Sequence, residues 1–240
     1  MKNLSKIAFL LALSFSLFVT SCDKSDDANL VTEKREVAVF TTVEIAENFN
    51  IILLYDPYHV PSLVVEGTAE AVADVVSEVD ANGNLLVTKT PQSAIDCSTV
   101  DLKITVPKIE GIAARNGGRL MMGTLIPVEN LKIEVENGGN WQGMFRAKKL
   151  EVKASGKAVM TFLGQVDNAN IQLDGVEAWD SKAMPFQTCS LNLNNESFAQ
   201  VYVNQQLLVN VAGSSTVYYT GNATLDASST IEVNSSVIKY

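Results

Sequence analysis

The sequence predicts an all-β chain in which a right-handed parallel β-helix follows a stretch of irregular N-terminal β coils. Three observations carry that expectation. β-Branched residues alternate with polar ones from Arg35 onward, the second half repeats about every 20 residues, and each repeat has Asn, Gly or Ser where the chain must bend.

Residues 1–21 open with Lys2 and Lys6 and continue as an apolar run from Ile7 to Val19, a pattern of export too short for a retained spanning helix. The run ends Val19-Thr20-Ser21-Cys22, which resembles the bacterial lipoprotein signal. That resemblance implies acylation of Cys22, the outer membrane as a partner through the anchor, and an outer-membrane lipoprotein exposed at the cell surface. Residues 22–34 then read as an acidic tether. Within it, Ser25-Asp26-Asp27 resembles the acidic signal that sends some lipoproteins to the outer face, whereas an Asp directly after the cysteine, here Asp23, marks inner-membrane retention in other bacteria.

Residues 35–240 read as one β-helix domain, irregular over 35–107 and regular over 108–240. Val37 and Val39, Val43 and Ile45, then Phe49, Ile51 and Leu53 alternate as strands. Asp56-Pro57 turns the chain, and Ser62–Glu66 is a strand stopped by Gly67. Over Ala69–Val79 the spacing of Val72, Val75, Val76 and Val79 behind a Thr68 cap predicts a short helix, with alternation as the competing reading. Asn82-Gly83 is a turn, and Leu85–Thr88 and Leu102–Val106 are strands.

Beyond Pro107, seven segments share apolar, x, apolar, x and then a turn residue. They begin at Ile112, Ile133, Val152, Ile171, Leu191, Val209 and Leu225, and the same phase continues past the bend to Leu120, Trp141, Met160, Trp179, Ala199, Val217 and Val233. A unit this short cannot bury its own apolar face, so it must stack on its neighbours. Stacking would set Arg115 beside Glu136 and Glu134 beside Lys153. An antiparallel sandwich also alternates, but it has no need to keep one phase over seven repeats.

The net charge of −9 becomes −11 once the two lysines of residues 1–21 are removed, which argues against a nucleic-acid partner. One histidine and three cysteines leave little for a metal site, and no cofactor is expected.

The pattern Arg35-x-Val37-x-x-Phe40-x-x-Val43, the Leu85-x-Val87 strand and the Gly-Ser-rich run from Val211 to Gly221 resemble the head GIN domain family of auto-transporter adhesins. The resemblance spans roughly Val37 to Val233 and implies a secreted or lipid-anchored β-helix with no catalytic residue to carry over. The chain has Asn116, Asn137 and Asn195 where that family has Gly-Ser-Gly corners.

Four groups of residues are candidates for chemistry. His59 lies in a loop and, as the lone histidine, reads as solvated. Cys97 and Cys189 can form a disulfide or remain buried free thiols. Asp174, Glu177 and Asp180 around Trp179 have the vocabulary of glycoside cleavage, although their phase does not bring them together; Glu177 is the one charge at the small corner position, where a local shift of the bend would release it to solvent. Val159, Val176, Ala178 and Phe198 would form an apolar partner surface on adjacent rungs. The expected function is binding of a glycan or an envelope or host protein without catalysis. The alternative is a polysaccharide lyase or glycoside hydrolase on the same scaffold.

Overall fold

The protein is described here by a computed structural model over residues 30–240. The signal segment and Cys22 lie outside the described residues. The chain is a β-solenoid of about seven turns whose strands join into one continuous sheet system.

The regular coils come from β8 (Gly111–Ala114), β9 (Arg119–Met122), β10 (Ile126–Val135), β11 (Gly139–Ser155), β12 (Ala158–Asp174), β13 (Ala178–Asn194) and β14 (Phe198–Val211). All their pairings are parallel, so neighbouring coils run the same way and the sandwich is excluded. The predicted phase holds for six repeats: Ile112, Ile133, Val152, Ile171, Leu191 and Val209 are in register and buried. The column from Leu120 through Trp141, Met160, Trp179 and Ala199 to Val217 is likewise in register and buried. Each such side chain contributes about 1.5–3 kcal/mol by leaving water, which is what a strict inward column supplies to a thin core.

Each turn has three segments where the sequence suggested two. A first face holds the Ile133 column and a second the Trp141 column. After the second face, and before the first face of the next coil, a third packs Phe145, Ala147, Val166, Phe186 and Val203 inward. Phe145, Phe162 and Trp179 stack across rungs with ring centroids 5.4 and 5.3 Å apart.

The seventh repeat is out of phase with the expectation. After β15 (Thr216–Thr220), the last coil has β16 (Thr224–Leu225), β17 (Thr230–Ile231) and β18 (Ser236–Lys239). Ile231 pairs with Val211, and Val237 pairs with Val217, so Leu225 and Val233 do not take those places. Leu225 stacks on Leu207 at the start of the first face, and Ile231 follows it by six residues where Val211 follows Leu207 by four. Val233 is fully exposed.

The N-terminal part winds out of order. It contains β1 (Leu30–Glu36), β2 (Thr42–Ile45), β3 (Asn50–Tyr55), β4 (Ser62–Thr68), α1 (Ala69–Asp74), β5 (Val75–Val79), β6 (Asn84–Lys89) and β7 (Asp101–Val106). β2 lies between β6 and β8, and β3 lies between β7 and β9. The chain therefore lays one rung, leaves it through β4 and α1, lays a second rung outside the first, and steps back over the first to begin the regular coils. The step is tight: Glu110 N donates to Thr41 O at 2.7 Å, and a Cβ on Gly111 would meet the Thr42 side chain at 3.0 Å. Antiparallel pairs β4–β7 and β1–β4 continue the second face at this end.

Two expectations change here. The helix over Ala69–Val79 is halved: Thr68 does cap it, accepting from Ala71 N at 3.2 Å, but from Val75 onward the backbone pairs with β6. Residues Leu30–Lys34, expected within the tether, belong to β1, whose pairing with β4 outweighs their polar composition. Residues 30–240 make every pairing named here, and their buried hydrophobic cluster runs from Phe40 to Ala223.

Candidate binding face

Side chains between the inward residues of the first face point outward and stack with the same register as the core. Glu134, Lys153, Gln172, Asn192, Asn210 and Thr230 form one such column. Its C-terminal half is joined by hydrogen bonds: Asn210 Nδ2 donates to Asn192 Oδ1 at 2.8 Å, and Thr230 Oγ1 donates to Asn210 Oδ1 at 2.8 Å. A parallel column holds Ser155, Asp174 and Asn194. Together they line a shallow groove of about 740 Å³ that runs across the coils from Arg115 to Glu232.

The groove has ions of both signs at its Arg115 end, a single charge, Asp174, in its middle and Glu232 at its far end. Arg115 Nε bonds Glu44 at 3.1 Å and another of its guanidinium nitrogens bonds Glu136, so the expected Arg115–Glu136 pair forms. Those hydrogen bonds, the Glu44 bond foremost, raise the guanidinium pKa. Glu134 and Lys153 are directly opposite, as expected, but Glu134 bonds Lys132 on its own strand at 2.8 Å. That bond holds the Glu134 carboxyl below its ordinary range. Past these ions, Gln172, Asn192 and Asn210 offer amide donors and acceptors at one strand spacing, about 4.8 Å. Such a row can hydrogen-bond an extended polar chain lying along the axis. The signal for it was in the sequence, at the x between Ile171 and Leu173, Leu191 and Leu193, and Val209 and Val211.

The three carboxylates around Trp179 do not form a site. Asp174 accepts from Asn195 Nδ2, Asp180 pairs with Lys182 at 3.2 Å, and Glu177 is exposed at the corner. Glu177 escapes the interior because the residue before it turns inward in its place. Gly175 takes φ +67°, and Val176 fills the inward place that Ala158 and Ser197 hold in adjacent coils. Trp179 is sealed in the core, donating through Nε1 to Ser181 Oγ at 2.9 Å.

The apolar partner surface needs the same correction. Val176 is buried, with its amide donating to Ser197 Oγ at 3.0 Å. Val159, Ala178 and Phe198 do face outward on the second face, half-buried, and Val159 pairs directly with Ala178. Phe198 packs on Tyr218 at 5.8 Å, and Tyr218 packs on Tyr240 at 6.1 Å. Sequence reasoning missed these tyrosines because it followed the outward residues only as far as Phe198.

Cys97 and Cys189 are both buried and free. Cys97 begins a single 3₁₀ turn before β7, and Cys189 is on β13. From β7 through β3, β9, β11 and β12 to β13 is five strand spacings, about 24 Å, far beyond disulfide reach. His59 is exposed, with Nδ1 2.5 Å from Asp56 Oδ2.

Comparison with known proteins bears on this geometry. Residues 39–223 match the family described as "Putative auto-transporter adhesin, head GIN domain". No curated protein matches the chain significantly. Among solved structures, a putative adhesin from Bacteroides fragilis is similar at 19% identity and a TM-score of 0.78, covering 88% of this chain and 93% of its own. A putative lipid binding protein from Parabacteroides distasonis is similar at 16% identity and a TM-score of 0.68, covering 89% and 98%. A putative adhesin from Parabacteroides merdae is similar at 12% identity and a TM-score of 0.67, covering 89% and 97%. Identities this low show a shared fold.

Proposed function

Because the chain belongs to the head GIN domain family of putative auto-transporter adhesins, we propose that it is a surface lipoprotein anchored at Cys22 in the outer membrane, binding an extended glycan without turnover. The observation that carries the glycan is the continuous carboxamide column Gln172–Asn192–Asn210 within a groove open along the solenoid. Carboxamides donate and accept at once, as sugar hydroxyls do, and a repeat of one strand spacing suits a repeating ligand better than a compact one. An adhesin-like role fits this face, which offers many equivalent contacts in place of one deep pocket.

A glycan screen of the form beginning at Asp23 tests the reading. Binding should fall at least tenfold when Gln172, Asn192 and Asn210 are all replaced by Ala, and should survive replacement of Val159 and Phe198 by Ser. The reverse pattern would move the ligand to the second face and favour a protein partner. Turnover of any polysaccharide by the intact protein would overturn the non-catalytic reading. Mass analysis of the mature N-terminus and protease shaving of intact cells test the anchor and the membrane face.

A further inference from the structure

A second recess, of about 640 Å³, opens on the second face near the N-terminal end, under the loop that joins β3 to β4. Its floor is set by register. Lys34 of β1 faces Val64 of β4, which faces Lys103 of β7, so the two lysines stand on one outward row about 9.6 Å apart. The next row places Ser62 and Thr105 beside them. His59 stands at the rim, where Asp56 fixes it by accepting from its ring and from Tyr58 N at 3.0 Å.

Register makes this place distinctive, because it sets two lysines on one row with no ion-pair partner for either among the described residues, a freedom that Lys89, Lys149, Lys157 and Lys239 share. Arg35, the neighbour of Lys34, is spent on the other side of β1, donating to Val72 O at 2.9 Å and Val75 O at 2.7 Å. Asp56 is engaged by His59, Glu36 is the other acid of the lining, and the outward row on the far side of the lysines carries Glu66 and Asp101. Beside them, Tyr58 and Val60 are 93% and 82% exposed.

Position supplies the partner. β1 begins at Leu30, and the eight residues from Cys22 to Asn29 span at most about 28 Å. The far coil is ten strand spacings from β1, about 48 Å. A lipid on Cys22 therefore keeps β1 and the recess beside it within that distance of the bilayer in any orientation, whereas the far end meets the bilayer only when the solenoid lies down.

We propose that the recess receives the phosphate of an anionic lipid headgroup in the membrane that anchors the chain, with Lys34 and Lys103 as the cationic contacts and Tyr58 and Val60 seated at the interface. This rests on the lipoprotein reading above. The contact would fix how the solenoid stands on the membrane, where a tether alone leaves it free to lie in any direction. Interfacial tyrosine and paired lysines are the usual vocabulary of such contacts.

Vesicle flotation of the form beginning at Asp23, which has no anchor, is the test. A chain of charge −11 is repelled by an anionic bilayer unless a local site overrides the field, so retention is informative. Vesicles of phosphatidylcholine with phosphatidylglycerol should retain at least fivefold more protein than phosphatidylcholine alone. The variant carrying Lys34→Ser and Lys103→Ser should lose that excess while keeping its unfolding midpoint. Equal retention on both vesicles, or an unchanged double variant, would overturn the proposal. Inorganic phosphate that binds the protein without any vesicle preference would overturn the lipid source as well. An unlipidated Cys22 in cells would sink the anchor while leaving the flotation result to stand separately.

Discussion

The two halves of the molecule reach the same coil by different routes. From β10 onward each coil pairs with its immediate predecessor, about 20 residues back, so order in space is order in sequence. Before it, β2 waits for β6 and β8, some 40 and 70 residues later, and the outermost layer is antiparallel. A local repeat can be added rung by rung, whereas the N-terminal rung closes only after a long loop is ordered. The regular coils should accordingly be rigid and cooperative, and the N-terminal layers the first to open.

Glycine substitution probes this most strongly. Gly164 takes φ +125° at a corner of β12, where a Cβ would lie 1.8 Å from Phe145 O on the coil below. Gly83, in the turn before β6, takes φ +76° but has nothing within 4 Å of its Cβ position. Gly164→Ala must push two rungs apart and should cost more than about 3 kcal/mol, while Gly83→Ala should cost about 1–2 kcal/mol for its backbone alone. Urea unfolding of both variants checks the contrast. Equal losses would mean that the corners of the regular coils yield as easily as an open turn.

That contrast also marks what could be read from residues alone. The inward columns were legible because Ile, Val, Leu and Trp recur at one phase, and six repeats fell into register on that basis. The third face was not, because its Phe145, Val166 and Val203 follow corners of different length and β13 carries an extra residue there. Nor was the crossed winding, since nothing in Val43–Ile45 states that its partners lie beyond Gly83 and Pro107. Val176 was misplaced because, in a corner of the same length as its neighbours, it turns inward in place of the residue after it, an exchange that a two-residue period does not reveal. The amide column was present in the sequence but silent until the register aligned it.

A smaller effect comes from Arg35, the cation that ties β1 to the end of α1. Its side chain is mostly buried, and Arg35→Met would leave the carbonyls of Val72 and Val75 without that donor, costing about 1.5–3 kcal/mol. The loss should stay local. Hydrogen exchange should quicken in β1, β4 and α1 and remain unchanged from β11 onward; uniform quickening would show that the cap and the coils unfold as one unit.

Within the coils, the two tryptophans of one column differ in a single partner. Trp179 Nε1 donates to Ser181, whereas the same position after Trp141 is Gly143, and Trp141 Nε1 has no partner among the described residues. Ser181→Ala should therefore cost about 1–3 kcal/mol by orphaning a buried donor. Trp141→Phe should be the milder of the two tryptophan replacements, since it removes no hydrogen bond. Thermal unfolding of Ser181→Ala, Trp141→Phe and Trp179→Phe tests this, and a costlier Trp141→Phe would refute it.

The finest test uses the thiols, because the molecule carries one in each region. Burial pushes the Cys97 thiol up, against a small opposing pull from Lys89, and pushes Cys189 up to about 12. Both should be unreactive toward a thiol reagent at pH 8 in the form beginning at Asp23, since the thiolate is the reacting species. In low urea Cys97 should label first, through opening of the N-terminal layers, while Cys189 waits for the coils to part. Simultaneous labelling would break the comparison. The same burial has a consequence at high pH: a thiol with a raised native pKa keeps its proton after the unfolded chain has lost its own, so native stability contributed by Cys189 is intact below about 9 and declines from there toward about 12. Cys189→Ala should flatten that alkaline decline more than Cys97→Ala does, which would locate the more deeply sealed thiol in the regular coils by a measurement independent of labelling rate.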